Sequence, residues 1–167
     1  MDAFDLATEI LSYARAQGRT ITTAESCTGG MVAAALTRIA GASDVFNEGY
    51  VTYSNAAKTR LLGVADSVLA EHGAVSLPTA HAMAEGALRS AGADLALSVT
   101  GIAGPSGGSA EKPVGMVCFG LAFKLPDDEI RSLANVHVFE DLGRDYIREQ
   151  SLMYALHWVL DHLKAEA

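Results

Sequence analysis

Over residues 20 to 39 the chain switches from one periodicity to another, and few folds tolerate that switch at so short a join. Thr20 to Thr23 are mostly β-branched and read as a short strand. Met31, Val32, Ala35, Leu36 and Ile39 recur at helical spacing. Between them lies Ala24-Glu25-Ser26-Cys27-Thr28-Gly29-Gly30, a run of small hydroxyl, thiol and glycine residues. A strand-to-helix junction of this kind has free backbone N–H groups and the positive end of a helix dipole. Gly29 and Gly30 carry no side chain, so a ligand can come close to the first turn. The site suits an anion, or an oxyanion formed beside a nucleophilic Ser26 or Cys27. The plainer explanation is that Ser26 or Thr28 caps the helix, and this stretch taken alone favours the cap.

The remaining pattern alternates helix and strand. Phe4, Ala7, Leu11 and Ala14 share a helical face, and Gly18 stands where that helix ends. Phe46 to Tyr53 reads as a strand, and Asn55 to Leu62 as a short helix stopped by Gly63. Asp66 or Ser67 is placed to cap a further helix ending at Gly73. Pro78 opens a helix whose inward face is Met83, Ala84, Ala87, Leu88 and Ala91. Leu95 to Val99 is an apolar run of strand length, buried on both faces. Val114 to Phe123 and Arg131 to Phe139 read as a hairpin about Pro126-Asp127-Asp128. Leu152, Leu156, Val159, Leu160 and Leu163 mark a long final helix. With no internal repeat or linker, these elements predict one α/β domain over residues 1–167. Its expected form is three α/β/α layers around a mixed sheet.

Composition limits function more than fold. The 167 residues are half hydrophobic and 19% charged, which argues against disorder. A net charge of −8 argues against non-specific nucleic-acid binding. No apolar run approaches the ~20 residues of a membrane span, and no signal peptide is evident. A cytoplasmic protein with no membrane partner is therefore expected. Cys27 and Cys118 form no metal-ligand spacing, and no His, Cys and carboxylate cluster suggests a metal.

Three stretches follow expected strands and are candidates to converge at the carboxyl edge of the sheet, where open α/β folds bind ligands. They are the Ser26 turn, Tyr53-Ser54-Asn55-Ala56-Ala57-Lys58, and the glycine loop from Thr100 and Gly101 through Gly104, Gly107 and Gly108 to Lys112. The glycine loop fits neither the Walker nor the dinucleotide spacing. Each has a structural alternative: a packed tyrosine, a solvated lysine, a mobile crossover. None of the five histidines stands where it would compete as a catalytic base.

Taken together, Ala24 to Gly30, Tyr53-Ser54-Asn55 with Lys58, and Gly101-Ile102-Ala103-Gly104-Pro105 through Lys112-Pro113-Val114-Gly115 resemble the CinA C-terminal domain family, also described as nicotinamide-nucleotide amidases. The resemblance covers nearly the whole chain. It implies hydrolysis of the carboxamide of nicotinamide mononucleotide to nicotinate mononucleotide and ammonia, with no cofactor and no metal. It implies Ser26 as nucleophile, Lys58 as its base and Tyr53 as a relay between them. It implies substrate contacts from Cys27, Thr28, Gly29, Gly30, Asn55, Thr100, Gly101, Gly104, Gly107, Gly108 and Lys112. Arg144 and Arg148, four apart and so on one helical face, match two arginines of the family's C-terminal region and are expected at the substrate phosphate. Leu142-Gly143 stands before Arg144 where the family often has Gly-Asp. The alternative for both arginines is surface pairing with Asp145 or Glu149. The resemblance also implies a homo-oligomer. Two other functions use the same residues: a non-catalytic nucleotide-binding module held by the glycine turns, and a cysteine hydrolase in which the helix dipole lowers the Cys27 pKa.

Overall fold

The computed structural model describes residues 1–167. Its strands are β1 (Ile21–Glu25), β2 (Tyr50–Val51), β3 (Leu95–Gly101), β4 (Met116–Lys124) and β5 (Ile130–Val138). Its α-helices are α1 (Ala3–Ala16), α2 (Met31–Thr37), α3 (Asn55–Leu62), α4 (Asp66–His72), α5 (Leu77–Ala91) and α6 (Arg144–Ala165). The strands form one sheet in the order β2-β1-β3-β4-β5. β2 and β3 run parallel to β1, β4 is antiparallel to β3, and β5 is antiparallel to β4. The sheet is therefore mixed. No helix is long and apolar enough to cross a membrane.

Two apolar cores explain the layers. On one face Leu6 and Ile10 of α1, Leu36 of α2 and Leu156 of α6 pack with Leu97 and Phe119 of the sheet. On the other, Leu62 of α3 and Met83 and Leu88 of α5 pack with Ala24, Ala96 and Ala122. Strands covered on both faces bury every residue. All five residues of β1 are buried, the polar Thr22, Thr23 and Glu25 among them. α5 and α3 cross closely at Gly86, where a Cβ would stand 1.9 Å from the Leu62 carbonyl oxygen. That contact seats α3, and with it Lys58, against the sheet.

The helix ends follow local chemistry. Asp2 caps α1, accepting from the N–H groups of Phe4 and Asp5, and Asp5 accepts in return from Asp2. Ser54 and Ser76 cap α3 and α5 more simply, each hydroxyl accepting from one N–H, that of Ala57 and that of Thr79.

Several expectations need correction. The strand read over Phe46 to Tyr53 shrinks to Tyr50–Val51, with one isolated bridge from Phe46 to Ile21. β-branched and aromatic residues there pack as a loop, since β2 is a short edge. Phe4 does not face the core; it is 44% exposed, with the Arg38 guanidinium 5.3 Å from its ring centre. Leu6 and Ile10 fill that face instead. Neither Asp66 nor Ser67 caps α4; Ala65 occupies the cap without a side-chain bond, and Asp66 accepts from Thr59. Ala91 is only partly buried, and β4 starts at Met116 rather than Val114.

The strand order decides where a site can form. From β1 the chain passes to β2 on one side and then to β3 on the other. β1 therefore ends at a topological switch point, the place where open α/β sheets leave a crevice. Because β1, β2 and β3 are parallel, their carboxyl ends share one edge. That edge carries Ser26, Tyr53 and Gly101.

Candidate active site

Ser26 continues the ladder, its N–H donating to the Val99 carbonyl at 2.9 Å. The chain then tightens: the Gly29 N–H donates to the Ser26 carbonyl and the Met31 N–H to that of Thr28, each at 3.1 Å. Gly29 and Gly30 have φ of +57° and +102°, which side chains resist. Gly30 opens α2 with no side-chain cap.

The cap comes from Glu25, which sequence reading passed over. Its Oε1 accepts from Thr28 Oγ1 at 2.7 Å and from the Val32 N–H at 2.9 Å, and its Oε2 accepts from the Ala33 N–H at 3.0 Å. The expected cap by Ser26 or Thr28 is thereby overturned: Thr28 is spent on Glu25, and Ser26 is left for Lys58. The available signal was a lone charged residue ending a strand buried on both faces. Glu25 is 1% exposed, so its removal strands two buried donors and one part-buried donor. Glu25→Ala is expected to lower stability by roughly 3 kcal/mol, read by chemical denaturation; a loss below ~1 kcal/mol would assign the capping elsewhere.

Lys58 enters from α3 and is 1% exposed. Its Nζ lies 3.0 Å from Ser26 Oγ, 2.8 Å from the Thr52 carbonyl and 3.4 Å from that of Tyr53. It pairs with no carboxylate. Burial pushes its pKa below the ordinary lysine value of 10.5. A neutral amine has two N–H bonds and one lone pair. The two carbonyls, which can only accept, take the N–H bonds, and the lone pair then faces the Ser26 hydroxyl. The same three contacts also accommodate an ammonium donating to all three oxygens; burial shifts the balance toward the neutral amine, which alone can accept the Ser26 proton.

Cys27 is buried and its thiol is pushed up to about 11, first by burial and then by the Glu25 carboxylate. The lowered pKa expected at a helix N-terminus is reversed. Desolvation outweighs the dipole here, and the N–H groups of Val32 and Ala33 already serve Glu25.

A cavity of about 180 Å³ opens beside these groups, lined by Ser26, Cys27, Tyr53, Lys58, Thr100, Gly101 and Arg144 together with Ala74, Val75 and Ala103. The three separate stretches therefore meet. Ala74 and Val75 carried no sequence signal, being small apolar loop residues; Thr100 Oγ1 ties them in by donating to the Ala74 carbonyl at 2.8 Å. Tyr53 does not stand between Ser26 and Lys58. Its ring is 62% exposed at the mouth, and its hydroxyl accepts from Arg144 Nη2 at 2.8 Å. Arg144 Nη1 donates to the Gly104 carbonyl at 2.7 Å. Arg144 is also the first residue of α6, whose N-terminus has no side-chain cap. Guanidinium and helix dipole thus put positive potential at the mouth.

Other expected contacts lie outside the cavity. Arg148 turns to the back of the nucleophile turn, its Nε donating to the Cys27 carbonyl at 3.1 Å and its Nη2 to that of Thr28 at 3.4 Å. Lys112 Nζ donates to the His72 carbonyl at 2.6 Å, pinning the glycine loop to the end of α4. Asn55, Gly107 and Gly108 are exposed and line nothing. Gly29, Gly30 and Gly104 do not line it, nor does the Thr28 side chain, whose hydroxyl donates to Glu25. None of the five histidines borders the cavity. His81 bonds Ser132 at 2.8 Å, and His162, its pKa lowered by burial, stacks on Phe123.

Comparison with known proteins agrees with this architecture. The profile of the CinA C-terminal domain matches residues 3–163. The chain is 51% identical over 156 residues to the nicotinamide-nucleotide amidohydrolase PncC of Enterobacter agglomerans, covering 93% of this chain and 92% of that protein. It is 48% identical over 155 residues to the PncC of Escherichia coli strain K12, covering 93% and 91%. The crystal structure of the competence/damage inducible protein CihA from Agrobacterium tumefaciens superposes with a TM-score of 0.89 at 45% identity, covering 98% of this chain and 96% of that one.

Proposed function

The chain belongs to the CinA C-terminal domain family, and from that premise we propose that it is a nicotinamide-nucleotide amidohydrolase working through a serine–lysine pair. The observation that carries the mechanism is the 3.0 Å contact between Ser26 Oγ and the buried, carboxylate-free Lys58. An alcohol is a weak nucleophile until a base takes its proton. A lysine serves as that base when burial holds it neutral.

Ser26 Oγ attacks the carboxamide carbon of nicotinamide mononucleotide while its proton passes to Lys58. The tetrahedral intermediate collapses, the C–N bond breaks, and Lys58 returns the proton to the departing ammonia. Water then attacks the nicotinoyl ester while Lys58 takes its proton; the Oγ–C bond breaks, Lys58 returns the proton to Ser26 Oγ, and nicotinate mononucleotide leaves. The N–H groups of Cys27 and Thr28, which donate to no backbone carbonyl, are the candidate oxyanion donors. Arg144 and the α6 N-terminus are the groups suited to the substrate phosphate. Tyr53, through its hydroxyl, orients Arg144.

A binding module would have no use for a buried lysine against a serine, and burial raises the Cys27 pKa where a cysteine hydrolase would need it lowered. Purified protein given nicotinamide mononucleotide is expected to release ammonia and nicotinate mononucleotide one for one. Cys27→Ala should keep kcat/KM within about threefold. Absence of ammonia would refute the amidase, and inactivation of a folded Cys27→Ala with acylation of Cys27 in the native enzyme would move the nucleophile. A homo-oligomer in the cytoplasm completes the reading, on resemblance and on sequence. Sedimentation showing only monomer at working concentration would remove the first, and cell fractionation checks the second.

A further inference from the structure

We infer that Arg148 is a positioning residue that locks the Cys27–Thr28 peptide in the orientation needed for an oxyanion. The inference rests on Ser26 as the nucleophile. In a trans peptide the C=O and N–H point to opposite sides. Arg148 draws the Cys27 carbonyl toward α6, through Nε at 3.1 Å. The N–H of the same peptide, that of Thr28, is thereby aimed away from α6. Thr28 is 0% exposed, yet its N–H donates to no group in the chain. Buried backbone N–H groups without acceptors are rare. One left over next to a nucleophile points to an acceptor supplied by the substrate.

The lock is needed because the turn resists rotation poorly. Gly29 and Gly30 follow at φ of +57° and +102°, and neither has a side chain to hinder a flip. A flipped peptide would present the Cys27 carbonyl, a partial negative charge, where negative charge develops in the reaction. Arg148 opposes this twice over. Its planar fork holds two successive carbonyls, since Nη2 also reaches that of Thr28 at 3.4 Å. Its charge polarises the Cys27–Thr28 peptide so that the N–H end becomes a stronger donor. The guanidinium lies behind Gly29, 3.6 Å from where a Cβ would stand, with Asp145 3.9 Å away on α6. It does not line the cavity, so it acts through the turn rather than on substrate.

The test compares wild type with Arg148→Gln, Arg148→Ala and Arg148→Lys in two assays. One is steady-state amidase kinetics. The other is the second-order rate at which a small alkyl fluorophosphonate labels Ser26, followed by intact mass. In that labelling an Oγ–P bond forms, fluoride leaves, and the serine proton passes to Lys58, whatever the natural substrate. Arg148→Gln and Arg148→Ala are expected to lose about 10- to 100-fold in kcat and in labelling rate, with KM within about twofold. Arg148→Lys should recover part of the loss by restoring a cation. A raised KM with kcat and labelling intact would make Arg148 a substrate contact and overturn the inference. So would wild-type labelling rates in Arg148→Gln, failure of both neutral variants to fold, or a wild-type Ser26 that the probe does not label. Labelled Ser26 in an enzyme that releases no ammonia would instead defeat the amidase reading and leave the comparison of variants standing.

Discussion

Ser26→Ala is expected to abolish the covalent intermediate and lower kcat by about 10⁶-fold, the scale on which hydrolases feel the loss of a nucleophilic serine. Intact-protein mass spectrometry after rapid quench should show a nicotinoyl adduct on wild type and none on the variant. The expectation follows from position as well as chemistry. Ser26 is 8% exposed, so its hydroxyl is reachable only from the cavity, and its one side-chain partner is Lys58. Alanine removes no contact that the fold depends on. Glu25 still caps α2, and the Ser26 backbone N–H still bonds Val99. Activity should therefore fall without a matching fall in stability. Residual turnover would reflect oriented binding and direct attack by water. A folded Ser26→Ala protein that releases ammonia near the wild-type rate would end the serine mechanism.

Lys58→Ala should lose kcat by roughly two to four orders of magnitude, the usual cost of a missing general base. A lysine that only held phosphate would instead raise KM and spare kcat. The pH dependence separates the roles further. Burial lowers the Lys58 pKa below 10.5, and the neutral amine is the working form. kcat/KM should therefore rise with pH through the depressed pKa and level off above it, and a rate that falls as pH rises would contradict a neutral lysine base. The stability effect has a definite sign. Between the depressed native pKa and 10.5 the unfolded chain binds a proton that the native chain does not. Stability therefore rises with pH across that window. Below it the penalty for burying the amine is felt in full. Lys58→Met, which keeps the aliphatic stem, should be inactive yet more stable than wild type at neutral pH. That advantage should shrink as pH climbs toward 10.5.

Much of this molecule was legible in the order of its residues. Asn55 to Leu62 with Gly63 behind it, the Pro126 turn and its hairpin, the apolar Leu95 run and the long last helix all appear as the periodicity predicted. These are local features, set by side-chain spacing, caps and turn residues within a few positions of each other. The three stretches carrying the site were legible for a related reason: serine, lysine and glycine stood out where a strand ends and regular structure stops. Resemblance then supplied roles that spacing alone could not.

The partners of those residues could not be read, because they depend on distances across the fold. Glu25 lies seven and eight residues before Val32 and Ala33, yet the carboxylate reaches both helix N–H groups because Gly29 and Gly30 fold the turn back. Arg144 and Arg148 share a helical face, as their spacing required, but one meets Tyr53 at the cavity mouth and the other the back of the Ser26 turn. Only the seating of α6 against that turn separates them. Cys27 shows the same limit through electrostatics: a helix N-terminus predicts a lowered pKa, and burial beside Glu25 raises it. Sequence determined which groups end at the carboxyl edge of the sheet; the tertiary structure decided their neighbours, through packing and desolvation that no local pattern encodes.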